Sequence, residues 1–302
     1  MDRREMLLGM SGLAAITLID VRLGQAQKTA DFGGRSFAET IRGIERRTGG
    51  RLGLAVLDTH SGRRFAHRGD ERFALCSTFK FLLSGAVLHA ADSGRLKMSR
   101  TLTVRRADIL GNSPVTERNV GRAMTLAELC HATMTTSDNA AANLLLPVIG
   151  GPAGLTRFVR ALGDEVTRID RYEPILNEAI SGDPRDTTSP LAMLHSLRAL
   201  TLGRVLTPAS RRTLTGWMLA SRTGATRLRA GVPRGWRVAD KTGTGQRGSN
   251  NDIGLLLPNG RPPILVTSYL SGSTASSDAL AATHAAVARA IASAVSESAI
   301  AA

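Results

Sequence analysis

The sequence predicts an α/β fold: an antiparallel five-stranded sheet built from both ends of the chain and flanked by helices, with an all-helical lobe inserted between its halves. Three observations point there. Strand-like runs fall near residues 52–68 and again near 237–270, helical patterns dominate from about 76 to 219, and an alanine-rich run from Asp278 to Ser298 closes the chain as a helix. With 302 residues, 42% of them hydrophobic and 21% charged, the chain suits one large domain or two tightly packed lobes. The expected division is 27–75 with 220–302 for the α/β lobe and 76–219 for the helical lobe.

In order along the chain, residues 1–26 stand apart from the fold. Arg3 and Arg4 precede an apolar stretch from Met6 to Ile19, and Gly24-Gln25-Ala26 offers small residues for cleavage before Gln27. That pattern reads as an export signal of twin-arginine type, so the mature protein is expected outside the cytoplasm, periplasmic or secreted. No later apolar run reads as long enough to span a membrane, and no stable membrane association is expected after cleavage.

Ser36 and Glu39 have capping-box spacing at the head of a helix that ends at Gly49-Gly50. Leu52–Asp58 is an apolar strand, Thr59-His60-Ser61-Gly62 a turn, and Arg63–Arg68 the returning strand. After the helical block, strands return at Arg237–Lys241, Asp252–Leu257 and Ile264–Leu270, with Pro258-Asn259-Gly260 as a turn.

The net charge of +14 owes nothing to residues 1–26, whose charges cancel. Its arginines are scattered and aromatics make up only 4% of the chain, so stacking platforms for bases are lacking and nucleic acid is not expected as a partner. The charge reads as an arginine-rich solvated surface. Cys76 and Cys130 are the only cysteines, and in an oxidising compartment one bridge is the first expectation. His60, His67, His89, His131, His195 and His284 show no ligand spacing, so neither a metal nor a cofactor is expected.

Chemistry is concentrated in short motifs. Only four of the 39 basic residues are lysines, and two of those four stand in Ser77-Thr78-Phe79-Lys80 and Lys241-Thr242-Gly243-Thr244. Arginine does not release its proton in a protein, whereas a buried lysine can be tuned toward neutrality and act as a base. On a helix, Ser77 and Lys80 share one face, and a helix N-terminus favours an alkoxide and disfavours an ammonium. This is the setting that activates a serine. Ser137-Asp138-Asn139, with Asn143 one turn on, places a hydroxyl beside an amide, suited to passing a proton and holding a substrate amide. Lys241-Thr242-Gly243-Thr244, at the end of a strand, suits a carboxylate ligand pressed against the backbone. Each motif alone is weak: a capped helix, a loop cluster and a strand end are the ordinary readings.

Their order is not weak, especially with Arg171-Tyr172-Glu173-Pro174-Ile175-Leu176-Asn177 between the last two. Together they resemble the class A serine β-lactamases, over essentially the whole mature chain. The resemblance implies a β-lactamase/transpeptidase-like fold and hydrolysis of the β-lactam amide of small-molecule antibiotics, with resistance as the outcome. It implies Ser77 as nucleophile and the N–H groups of Ser77 and Thr244 as oxyanion hole. Lys80 and Ser137 relay protons, Asn139 holds the substrate's side-chain amide, and Glu173 with Asn177 directs the water that releases the acyl-enzyme. Lys241, Thr242 and Thr244 meet the substrate carboxylate, aided by Arg227, because Asn250 stands where many members carry a strand arginine. Arg171 and Asp186 close the Glu173 loop as an ion pair, and the Glu173-Pro174 bond is expected cis. A monomer is implied.

The chain departs from the family in its cysteines. The partner position of Cys76 in one carbapenem-hydrolysing subgroup is Gly245, and Cys130 matches one half of a different family disulfide whose partner position is Ser84, so two free, buried thiols are expected. Thr244 and Arg227 lean toward a broad spectrum, while the missing bridge weakens the case for carbapenems. Asn112 replaces a common aromatic and implies an open entrance. The competing reading is a penicillin-binding D-alanyl-D-alanine peptidase that deacylates slowly, against which Glu173 with Asn177 argues.

Overall fold

A computed structural model describes residues 32–300, so the expected export signal at 1–26 lies outside the described residues. Helix α1 (Gly34–Thr48) leads into the hairpin of β1 (Arg51–Asp58) and β2 (Arg64–His67). A short β3 (Phe73–Ala74) passes through a tight turn at Cys76–Thr78 into α2 (Phe79–Asp92). Then come β4 (Thr101–Thr103), β5 (Ala123–Thr125), α3 (Leu126–Thr135), α4 (Asn139–Leu145), α5 (Gly151–Ala161), β6 (Thr187–Thr188), α6 (Pro190–Thr201), α7 (Pro208–Leu219) and α8 (Leu228–Gly231). The chain closes with β7 (Arg237–Thr244), β8 (Asn250–Leu257), β9 (Ile264–Ser271) and α9 (Ser277–Ile300).

Five strands form one antiparallel sheet in the order β2-β1-β9-β8-β7. The two ends of the chain meet where β1 pairs with β9 along its whole length, from Arg51 opposite Ser271 to Asp58 opposite Ile264. Side chains alternate between faces, and both faces are covered. Leu52, Leu54 and Val56 pack with Ile41 of α1 and Val287 and Ile291 of α9. Ala55 and Leu57 join Leu265, Tyr269 and the core built on α2, α3 and α6. Burial on both sides is why β1 reads as a continuous apolar run and not as an alternating one. Helix α2 is buried from Phe79 to Leu88, which places Lys80 in an interior where a charge is costly. Strand β7 lies at the open edge of the sheet, beside the turn that carries Ser77.

Several expectations change. Helix α1 starts at Gly34, preceded by Gly33 in a left-handed conformation (φ 70°), so Ser36 falls inside the first turn and caps nothing. Strand β7 runs on to Thr244, because pairing of Thr244 with Asn250 carries the backbone past the polar motif that resembled a strand end. The 76–219 region also holds the small pair β4–β5, and its β6 pairs with β3, which lies just ahead of it. Finally, Ser277–Glu297 is long and apolar enough by composition to cross a membrane, with mean hydropathy 1.3. Alanine supplies that value, and Val287, Ala288 and Ile291 are buried against the protein's own sheet and α1.

Candidate active site

The backbone before Ser77 is pinned from three directions. The Asn251 side-chain amide of β8 donates to Ala74 O (2.9 Å) and Leu75 O (3.1 Å), the Leu75 N–H donates to Asp186 O (2.8 Å), and Thr78 Oγ1 donates to Leu75 O (2.6 Å). Between these anchors Cys76 is held at φ +44°, a left-handed conformation costing about 1–3 kcal/mol that the surrounding bonds enforce. Ser77 sits in the tight turn leading into α2 and does not open the helix itself, yet its spacing to Lys80 still brings the two together.

Lys80 is fully buried and central. Its Nζ donates to Ser77 Oγ (3.0 Å), Ser137 O (2.8 Å), Ser137 Oγ (3.3 Å) and Asn139 Oδ1 (2.6 Å), and lies 2.9 Å from Glu173 Oε1. Burial pushes its amine below the usual lysine range, and the Glu173 carboxylate works against that shift without cancelling it. Ser77 Oγ donates to Glu173 Oε1 at 3.3 Å, and Asn177 Nδ2 donates to Glu173 Oε2 at 2.5 Å. One hydroxyl thus has an amine and a carboxylate within reach, two groups able to take its proton.

Ser137, at φ +59°, is set by its neighbours. Asp138 caps α4 through the Ala141 N–H (2.9 Å) and accepts from the backbone of Val115 and Thr116 (both 2.9 Å), so the middle residue of the motif is an anchor. Ser137 Oγ also receives a bond from Lys241 Nζ at 3.0 Å and so bridges the two lysines. Burial, with the charges of Lys80 and Arg227 adding to it, holds the Lys241 amine well below its usual range.

Arg227, 9% exposed, reaches the end of β7. Its Nη1 donates to Gly243 O (2.9 Å) and Asn251 O (2.6 Å), and its Nη2 to Thr244 Oγ1 (2.7 Å). A cavity of about 310 Å³ is lined by Ser77, Asn112, Ser137, Asn139, Asn177, Thr223, Arg227, Thr242 and Thr244. Lys80, Glu173 and Lys241 stand just behind that wall, bonded to its members. All the residues singled out for catalysis and binding in the sequence thus converge on one place. A Cβ on Gly243 would lie 3.0 Å from Leu75 O and 3.1 Å from Cys76 Cβ, so its space is taken by the segment just ahead of Ser77.

The Glu173 loop is held by Arg171, whose Nε donates to Asp186 Oδ2 (2.5 Å) and whose Nη1 donates to Glu178 Oε2 (2.7 Å). Asp186 also accepts from the N–H groups of Asp170 and Arg171. The Glu173-Pro174 bond is cis. Both cysteines are free and buried, and burial pushes the Cys76 thiol up to about 12.

Three contributors were not assigned from sequence. Asn143 pins Glu173 by both its backbone groups, accepting from its N–H (3.0 Å) and donating to its C=O (2.9 Å). Thr223 shares a hydrogen bond with Thr242 (2.6 Å) on the cavity wall, and Asn251 fixes the segment that leads into Ser77. Only Asn143, one helical turn after Asn139, carried a local signal.

Residues 36–295 match the model of a family described as "Beta-lactamase enzyme family". The chain is 48% identical over 234 residues to Beta-lactamase L2 of Stenotrophomonas maltophilia, which is 77% of each chain. It is 42% identical over 259 residues to Beta-lactamase CTX-M-8 of Citrobacter amalonaticus, or 86% of this chain and 88% of that one. Among solved structures, an ancestral class A β-lactamase aligns with TM-score 0.84 at 56% identity over 85% of this chain and 99% of that chain. A β-lactamase from Xanthomonas campestris pv. campestris aligns with TM-score 0.85 at 49% identity, over 88% and 99% respectively.

Proposed function

This chain belongs to the Beta-lactamase enzyme family as a class A serine β-lactamase, and from that premise we propose how its own residues divide the hydrolysis of small β-lactams. Ser77 Oγ attacks the lactam carbonyl, and the N–H groups of Ser77 and Thr244, both lining the cavity, receive the developing oxyanion. The Ser77 proton passes to Lys80 or Glu173, both within 3.3 Å. Lys80 and Lys241 both bond Ser137 Oγ, which returns a proton to the departing lactam nitrogen. Asn139 holds the substrate's side-chain amide. The substrate carboxylate lies against Thr242, Thr244 and Arg227, with Lys241 behind them.

Glu173, oriented by Asn177 and pinned by Asn143, then draws a proton from water, which cuts the acyl ester. The observation that carries this reading is the Glu173 carboxylate 3.3 Å from Ser77 Oγ, a position that serves hydrolysis of an ester on that oxygen. A peptidase that merely traps its substrate has no use for such a group, which disfavours the alternative. The proposal extends to an exported, monomeric enzyme. Turnover of a chromogenic cephalosporin by the purified protein tests it: many cycles per enzyme are expected, and a single stoichiometric burst would support the slow-deacylating peptidase.

A further inference from the structure

A second cavity, of about 490 Å³, is walled by Leu176 and the 179–185 part of the Glu173 loop, by β3 and by the β7–β8 turn. Four arginines reach it: Arg51 from β1, Arg72 ahead of β3, Arg185 from the loop and Arg247 from the turn. Two are matched by carboxylates, Arg51 by Glu71 at 2.6 Å and Arg185 by Asp183 at 2.8 Å. The other two are not. Arg72 Nη1 donates to Val166 O and Thr187 Oγ1 (both 2.9 Å), and Arg247 Nη1 donates to Glu178 O and to Gln246 Oε1. Among the described residues neither is in an ion pair, so the lining carries two guanidinium charges in excess. The same wall is partly apolar: Ile180 and Pro184 line it, and Ile180 is 42% exposed. Ser249, also on the lining, holds a buried hydroxyl with no hydrogen-bond partner.

We propose that this cavity binds a small organic dianion, its charged oxygen groups neutralising Arg72 and Arg247 and its apolar body resting on Ile180 and Pro184. Guanidinium forks match the paired oxygens of carboxylates and phosphates, and a half-enclosed site strengthens that match over open water. Because Arg185 and the apolar Ile180 belong to the loop while Arg72 and Arg247 belong to flanking segments, a bound dianion ties the Glu173 loop to the sheet. It therefore stabilises the folded protein increasingly as its concentration rises above Kd. Binding does not depend on the hydrolytic reading.

Calorimetric titration of the purified mature protein at constant ionic strength tests the site with phthalate, a dicarboxylate, and phenyl phosphate, a phosphate monoester, which distinguish the two sources of charge. Benzoate serves as monoanion control. Saturable binding of at least one dianion is expected, tighter than benzoate, with a concentration-dependent rise in Tm. Affinity should fall by about tenfold or more in Arg72→Gln and in Arg247→Gln, each lost hydrogen bond to a charged group being worth roughly 1.5 kcal/mol or more. Arg72→Lys, which keeps the charge, should lose less, and Arg227→Ala should change nothing. If Arg247→Gln fails to fold, the two Arg72 variants carry the test. No saturable binding by either dianion overturns the proposal. So does binding lost in Arg227→Ala and retained in Arg72→Gln, which would place the anion in the catalytic cavity.

Discussion

Lys80 Nζ and the Glu173 carboxylate stand 2.9 Å apart with neither side chain accessible to solvent, and both reach Ser77 Oγ, at 3.0 and 3.3 Å. The three groups form a closed proton store. Desolvation disfavours a charge on either partner, their attraction offsets that penalty, and the serine proton can leave in two directions. Removing one partner strands the other as an unpaired buried charge.

Lys80→Ala should therefore be penalised twice. Acylation should slow by about 10²–10⁴-fold, the range for a positioned acid–base group, and stability should fall by about 3 kcal/mol because Glu173 loses its counter-charge. Adding Glu173→Gln should restore part of the stability and none of the acylation. Chemical denaturation of the single and double variants measures the coupling, and strictly additive losses would mean the pair is not coupled.

Arg227→Ala should raise KM for carboxylate-bearing substrates by about tenfold, with kcat changed less, because a charge-assisted bond to the substrate is worth roughly 1.5 kcal/mol or more. Steady-state kinetics on a carboxylate substrate and its methyl ester separates the causes. An equal KM rise for both would assign Arg227 to holding β7 through Gly243 O and Asn251 O.

Asp186→Ala removes the acceptor for Arg171 Nε and for two backbone N–H groups. Breaking this largely buried pair should cost about 3 kcal/mol, or roughly 6–12 °C in Tm for a chain of this size. Deacylation should slow more than acylation, since the freed loop carries Glu173 and Asn177. Pre-steady-state kinetics decides, and an unchanged deacylation rate would show that the loop is held by its other bonds.

Asp252 sits on β8 opposite Thr242 of β7, where burial first and the Asp240 charge second raise its carboxyl well above 3.8, while Arg227 and Arg229 pull it down less. As pH rises past 3.8 the unfolded chain gives up this proton while the folded site keeps it. The folded state then binds more protons, so this group's contribution to stability declines as pH climbs toward its folded-state pKa. Asp252→Asn should flatten that decline in Tm measured from about pH 4 to about pH 8. Parallel curves for both proteins would remove Asp252 as its source.

Much of this was legible because the chemistry demands fixed local spacing. Ser77 and Lys80 need i and i+3, and Ser137 and Asn139 flank a capping aspartate that serves α4 anyway. Strand β1 was readable because burial on both faces leaves an uninterrupted apolar run, and β9 because it opens on Ile264-Leu265-Val266. What stayed hidden lies in contacts between distant positions. Asn251 acts on Leu75 across 176 residues, and Asn143 on Glu173 across 30, so neither bond leaves a periodic trace. Strand β7 looked three residues shorter than it is because Thr242, Gly243 and Thr244 lack strand-like hydrophobicity, and pairing with β8 overrides that. The Ser36 cap failed because Gly33, at φ 70°, turns the chain into the helix three residues early.

The most direct test of Glu173 as the group that drives water onto the ester is intact mass of Glu173→Ala after mixing with a β-lactam. A covalent adduct on Ser77 should persist for many parental turnover times, while the parent shows only free enzyme at steady state. A mutant that turns over at the parental rate without adduct would contradict this role, as would a parent that itself remains acylated.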